Sequence, residues 1–402
     1  VRCKVEGERE RRGWYVLHEL PVHGGDVLVV GTYGIWRGTD NGARKVELRK
    51  RDSEFTAEQR AAYKSRLAEA RKVAERARQK EAERAAEAAC RAWQQASPTG
   101  EAPYLVAKGV QGFGLRYGKS GAAIVPMLDT NGAIHGLQIL RSPQQAEAAR
   151  RPAKEFWPAG LAKRGHFHLI GGVPQWILLL AEGYATAASL HMATGYPVAV
   201  AFDAGNLHLV AKALAKRYRG VRILVCADDD VLQKCRQCRA RLVLAEHPDT
   251  CPTCGEPHRA ENAGLAGASA AALEVQGATL VPVFADEAGR RAAFIDRGRK
   301  ITDFNDLHAA EGLQAVRNQV EARLTELSWR APAAKRGAST PTAGGKGREP
   351  IRPIDSLGEL LERFALVYGQ GGTVFDRREH TLVSLSDMRD ACVRRELHRA
   401  WM

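Results

Sequence analysis

Two apolar runs in this chain end in carboxylates. "ILLLA", residues 177–181, leads directly into Glu182 and Gly183, and "VRILVCA", residues 221–227, ends in Asp228, Asp229 and Asp230. Short apolar runs bounded by turn residues read as buried strands, and carboxylates at the carboxyl ends of parallel strands sit where open α/β sheets place ligands. Side chains two apart in an extended tail point the same way, so Asp228 and Asp230 can face Glu182 while Asp229 points elsewhere. Three carboxylates together repel unless a cation joins them, and Mg²⁺ (or Mn²⁺), which takes a few carboxylates plus phosphate oxygens, suits the set. Taken singly, each feature reads better as local structure, Glu182 capping the next helix and the aspartates ending a strand. Two strand-end acidic groups in one βαβ frame reverse that preference.

A second constellation follows at once. Cys235, Cys238, Cys251 and Cys254 are spaced CxxC, twelve residues, CxxC. Four thiolates so arranged form a closed tetrahedral set, which makes the expected Zn²⁺ structural rather than catalytic. Lys234, Arg236, Arg239 and Arg241 lie among them, so the unit either reads a nucleic-acid template or lets zinc fix a long insertion. The scattered Cys3, Cys90, Cys226 and Cys392 read as reduced thiols of a cytoplasmic protein.

The elements that must position these groups divide the 402 residues into several units. Residues 1–55 alternate apolar and polar with glycine turns and predict a small β-rich unit. Residues 56–97 open on the capping-box pattern "TAEQ" and continue almost wholly in Ala, Glu, Arg, Lys and Gln, a long charged helix of roughly 60 Å whose thin alanine stripe predicts a solvated spacer or weak coiled coil. A mixed α+β region over 98–172 includes an Asn131-Gly132 hairpin signal. Residues 173–330 alternate strand and helix, the pattern of a parallel sheet, with the cysteine unit inserted at 231–260. A linker rich in Ala, Pro, Gly and Ser covers 331–353, and 354–402 read as two short strands and a helix of a truncated unit.

Lys and Arg number 60 against 46 Asp and Glu, a formal charge of +14 that fits a polyanionic partner. No apolar run reaches the ~18 residues of a membrane span. Starting at Val1 and stopping at Met402 within a helical pattern, the chain is expected to be a fragment of a longer protein.

"LLLAEGYATAASL", "VAVAFDAGNL" and "ILVCADDD" together resemble the Toprim domain, the catalytic module shared by bacterial-type primases and by type IA and II topoisomerases. The resemblance continues through "ENAGLAGASAAALEVQGATLVPVF" and "TDFNDLHAAEGL". It implies a Rossmann-like parallel sheet in which Glu182, Asp228 and Asp230 bind Mg²⁺ and serve catalysis, with Asp303 and Asp306 as outer carboxylates. Where many primases place an Asp four residues after the Glu, this chain has Thr186. Upstream, "APYLVAKGVQGFGLRYG" and "KEFWPAGLAKRGHFHLIGG" are similar to stretches before the Toprim domain of bacterial and phage primases, which makes 98–172 the basic subdomain of that core.

The resemblance covers about residues 101–313 and leaves the zinc ribbon in an unusual place, inside the Toprim domain. Lys108, Arg116, Arg141, Lys154, Lys163 and Arg164 are the expected cations for triphosphate and template backbone. The expected activity is DNA-dependent RNA primer synthesis on single-stranded DNA from nucleoside triphosphates, in a mobile-element setting. A replicative helicase is the expected partner, in cis beyond Met402 or in trans, since no GxxxxGK[ST] motif occurs. The alternatives are a Toprim nuclease and a non-catalytic single-stranded-DNA loading protein.

Overall fold

The computed structural model describes residues 2–5, 13–21, 27–35, 44–45, 57–235, 237–257 and 261–330, with three strand segments at 364–366, 373–376 and 381–384. Its contacts divide the chain into Val1–Pro332 and Ala333–Met402. In the first unit, β1 (Arg2–Cys3), β2 (Gly13–Pro21), β3 (Val27–Ile35) and β4 (Arg44–Lys45) form an antiparallel sheet in that order.

Helix α1 spans Ala57–Gln95. Residues 71–81 are exposed all round, as a solvated spacer requires, but the last three turns are not. Ala85 and Ala89 are buried, and Ala89 packs with Trp93 against Ile124 and Leu137 of the sheet that follows. Small side chains let the helix approach the sheet closely, so the alanine stripe is a docking face there. Arg116 closes the helix, its Nη1 donating to the carbonyls of Trp93 (2.8 Å), Gln94 (3.2 Å) and Ala96 (3.3 Å). A helix end leaves its last carbonyls short of intrahelical donors, and the guanidinium supplies them here.

After α2 (Pro103–Lys108), strands β5 (Arg116–Tyr117), β6 (Ala123–Leu128), β7 (Ile134–Leu140) and β8 (Lys154–Trp157) make an antiparallel sheet in chain order, with α3 (Pro143–Ala149) between the last two. The β6–β7 turn uses Asp129, whose Oδ1 accepts from the amides of Asn131 (2.8 Å) and Ala133 (2.9 Å), and Gly132 at φ 86°.

The chain then runs β9 (His168–Ile170), β10 (Ile177–Ala181), α4 (Tyr184–Thr194), β11 (Val198–Val200), α5 (Leu207–Arg217), β12 (Arg222–Cys226), the hairpin β13 (Leu232–Lys234) and β14 (Arg241–Val243), α6 (Ala263–Glu274), β15 (Ala278–Leu280), α7 (Glu287–Arg297) and α8 (Phe304–Glu326). Sheet order is β15-β12-β10-β11-β9. Its first four strands are parallel, and β9 pairs antiparallel on β11.

All five residues of β10 are buried because both faces of the sheet are covered. Ile177, Leu179 and Ala181 pack into one core with Leu190, Phe304, Leu307 and Val316 of α4 and α8. Leu178 and Leu180 pack into the opposite core with Leu207, Val210, Ala268 and Ala271 of α5 and α6. From β10 the chain crosses outward to β11, and from β12 it crosses in the other direction to β15. The carboxyl ends of β10 and β12 therefore flank the switch point where such sheets form a crevice.

In the second unit, β16 (Phe364–Leu366), β17 (Thr373–Asp376) and β18 (Thr381–Ser384) form an antiparallel sheet, three strands where the sequence pattern suggested two. The helix expected beside them, and the 331–353 linker, lie outside the described residues.

Candidate active site and zinc centre

Glu182 leaves β10 with its carbonyl held by the Phe202 amide at 2.8 Å. Asp228 leaves β12, and the Asp229 amide donates to the Thr302 carbonyl at 2.8 Å, which ties this loop to the segment preceding α8. That contact brings Asp303 into play. One cleft is lined by Glu182, Asp228 and Asp303, with Lys108, Lys154, Gln138 and Thr186 around them.

Each acidic side chain has a distinct assignment. Asp229 does turn away, its Oδ1 accepting from Asn262 Nδ2 (2.7 Å) and its Oδ2 from Arg290 Nη2 (2.8 Å). Asp230 turns partly toward the start of α6, where its Oδ2 accepts from the Gly264 amide at 3.2 Å. A Cβ at Gly264 would collide with the Asp228 carbonyl, so the helix approaches this closely only with glycine there. Asp303 caps α8 through Oδ1, accepting from Asn305 (2.7 Å) and Asp306 (2.8 Å), and still lines the cleft. Asp306 serves the turn itself, its Oδ2 accepting from the Thr302 amide at 2.8 Å.

Of the six cations expected from sequence, the structure brings two to the carboxylates. Lys108 ends α2, with its carbonyl held by Asn305 Nδ2 at 2.8 Å, and Lys154 begins β8; neither forms an ion pair among the described residues. Arg116 is the closure of α1. Arg141 pairs with Glu155 at 2.7 Å. Lys163 pairs with Asp203 and lies 4.8 Å from the centre of the Phe156 ring. Arg164 is exposed, away from the lining. Asp203 was legible but missed: "VAVAF" is another apolar strand run ending in a carboxylate. Gln138 and Asn305 carried no sequence signal.

Burial, then the charges of Asp230, Asp203 and Asp303, push Glu182 up to about 7 against the pull of Lys154. Burial, then Asp303, Glu182 and Asp230, push Asp228 up to about 8. Asp228 Oδ1 is buried with no hydrogen-bond partner among the described residues. An orphaned carboxylate oxygen facing two further carboxylates is what a divalent cation relieves, and the donor set is the hard-oxygen kind that Mg²⁺ prefers.

The folded state holds these protons more tightly than the unfolded chain, whose values are 4.5 and 3.8. Stability of the metal-free protein is therefore expected to fall as pH rises from about 4 through about 8, by on the order of a few kcal/mol. Mg²⁺ is expected to restore it most at the alkaline end. Thermal melts from pH 5 to 9 with and without Mg²⁺ test this, and curves parallel across pH would refute it.

Residues 177–314 match the Toprim domain family. The chain carries a Toprim domain. A DNA primase TraC of Escherichia coli is 28% identical over 264 residues, covering 56% of this chain and 17% of that protein. Another DNA primase TraC of Escherichia coli is 30% identical over 241 residues, 57% of this chain and 21% of the relative. The chain thus spans only about a fifth of the length of these curated relatives. Among solved structures, the primase fragment of the bacteriophage T7 primase-helicase protein shares 13% identity at a TM-score of 0.32, over 54% of this chain and 68% of that one.

The zinc candidate interrupts the Toprim domain between β12 and α6. The four Sγ atoms of Cys235, Cys238, Cys251 and Cys254 lie within 4.8 Å of one another. Cys235–Cys254 and Cys238–Cys251 stand at 3.8 and 3.6 Å. A tetrahedral site with Zn–S of about 2.3 Å needs sulfurs about 3.8 Å apart, the spacing of these two pairs, so the four cysteines suit zinc. The amides of Cys254 and Thr253 point at Cys251 and lower its thiol, while burial and the neighbouring thiols raise that of Cys254, so without metal the set shares its protons.

Of the basic residues in this hairpin, Arg241 is committed to α7, donating from Nη1 to the Ile295 carbonyl at 2.6 Å, and Arg239 is exposed. Arg236 lies outside the described residues. No helix among the described residues is long and apolar enough to cross a membrane.

Proposed function

We propose that this chain is the catalytic core of a DNA primase of plasmid, phage or mobile-element type. It synthesises short RNA primers on single-stranded DNA by Mg²⁺-dependent nucleotidyl transfer. The observation that carries the reading is the cleft itself: Glu182, Asp228 and Asp303 gathered at the switch point of a Toprim sheet beside Lys108 and Lys154, which form no ion pair among the described residues.

Glu182 and Asp228, with Asp230 and Asp303 next to them, are the residues that would hold Mg²⁺. When bound, the metal supplies neutralisation of the charge that develops on the transferring phosphoryl group. Lys108 and Lys154 bind the triphosphate, and their fixed charges need no reorganisation as the leaving pyrophosphate gains negative charge. Glu182, half-buried at the carboxyl end of β10, would serve either as a ligand of that metal or, left free of it, as the base that accepts the proton of the attacking 3′-hydroxyl. Exposed Arg164 and the overall excess of 60 basic over 46 acidic residues favour the template backbone.

The test is primer synthesis on defined single-stranded templates with labelled ribonucleotides, with and without Mg²⁺. Wild type is expected to make Mg²⁺-dependent primers. Glu182→Gln, which keeps shape and loses basicity, is expected to lower the rate by about a hundredfold or more while template binding is unchanged. Nicking of DNA without added ribonucleotides would instead identify a nuclease. Template binding with no incorporation would identify a loading protein, the reading that Thr186 favours by standing where many primases have a second carboxylate.

A further inference from the structure

Arg290 lies in α7, far in sequence from the Asp228 loop and 11 residues before Ile301. Its side chain is 4% exposed, and its guanidinium makes four hydrogen bonds. Nη2 donates to Asp229 Oδ2 at 2.8 Å and to the Asp229 carbonyl at 3.2 Å. Nε donates to the Ile301 carbonyl at 2.7 Å, and Nη1 to Glu287 Oε2 at 2.9 Å. The group lies 4.7 Å from the centre of the Phe284 ring.

Asp229 is the neighbour of Asp228, and Ile301 stands two residues before Asp303. One buried, planar group therefore grips both loops that deliver carboxylates to the cleft, and the Asp229–Thr302 backbone bond runs alongside it. A guanidinium can do this because its donors form a rigid fork; an ammonium on a flexible stem is a point charge and cannot reproduce the set.

The zinc hairpin in turn braces α7. Phe294 is buried with Leu232 and Val243, Arg241 holds the Ile295 carbonyl, and Arg291 pairs with Glu246 at 2.7 Å. At the other end of the hairpin, Gln233 Nε2 donates to the Asp230 carbonyl at 2.9 Å.

We propose that Arg290 is a positioning residue that sets the separation of Asp228 and Asp303, and so the affinity of the cleft for a divalent cation, with the zinc hairpin holding it in register through α7. This rests on the acidic cleft being a cation site and is independent of which reaction the cation serves.

The test is Mn²⁺ binding to the full zinc-loaded chain, read by electron paramagnetic resonance. Wild type is expected to bind and Asp228→Asn to lose the site. Arg290→Lys is expected to bind about 10- to 100-fold more weakly, the usual cost of losing an outer partner of a metal ligand, with zinc content unchanged and the assay run below the melting temperature.

Wild-type affinity in Arg290→Lys would overturn the proposal. If that variant does not fold, Asp229→Asn, which keeps the shape and removes the charge facing Arg290, is read in the same way, and wild-type affinity there is equally fatal. Absence of Mn²⁺ binding by wild type would overturn the inference and the cation reading together. A wild type that binds Mn²⁺ and a folded Arg290→Lys that binds it weakly, without primer synthesis by either, would support the inference while rejecting the primase.

Discussion

Asp228→Asn is expected to abolish primer synthesis, by about a thousandfold or more, while raising the melting temperature of the metal-free protein at pH 8. The first effect follows because a neutral amide cannot supply the charge that holds a divalent cation, whose contribution to phosphoryl transfer is several kcal/mol. The second follows from the same burial with opposite sign. Asp228 is raised to about 8, so near that pH the folded protein either carries a buried charge among other carboxylates or keeps a proton the unfolded chain has released. Removing the ionisable group removes that cost. Activity assays paired with melts of the same preparation check both halves. A variant that is inactive and less stable would mean that Asp228 is a structural residue, and one that is fully active would refute the site.

Cys251→Ser is expected to remove zinc, taking content from one ion per chain to near zero, and to cut primer synthesis by at least about tenfold through loss of outer support for the acidic loop. Cys251 is buried with Cys235 and Leu242 and stands 3.6 Å from Cys238, so its loss opens a closed four-thiol site. The hairpin then has no reason to hold α7, and Gln233 no fixed place from which to hold the Asp230 carbonyl. Zinc analysis, limited proteolysis across 231–260 and primer synthesis on several templates would be measured together. Residual activity with unchanged template preference would make the hairpin a brace. A shifted preference would make it a template reader.

The two predictions concern residues of very different legibility. The four cysteines were readable because their spacing is itself the local geometry of a zinc knuckle, and Glu182 and Asp228 because a short aliphatic run followed by a carboxylate marks a parallel strand end wherever the strand lies. Asp230 carried the same signal but turns partly to the α6 amide at Gly264, because the start of a helix offers a donor that extended-chain alternation does not anticipate. Asp303 and Asp306 looked alike in sequence, yet the capping box turns one toward the cleft and keeps the other in the turn.

The basic residues were the least legible. A lysine or arginine shows its charge in the sequence but not its partner, and Arg116, Arg141 and Lys163 found partners within the fold while Lys108 and Lys154 form no ion pair among the described residues. The long helix misled for a related reason: an alanine stripe is too thin to register as an apolar face, although small side chains are what allow Ala89 to meet Ile124 and Leu137.

By itself, then, the sequence determined the elements and their chemistry-bearing ends, since periodicity, strand-end charge and cysteine spacing act over a few residues. Only the tertiary structure decided that β10 and β12 are neighbours, that Asp303, which follows the cysteine hairpin in the chain, lines the same cleft as their carboxylates, and that Arg290 grips both loops. Those outcomes depend on which strand pairs with which and on which buried polar group must find a partner, and both are settled by the packing of the whole sheet.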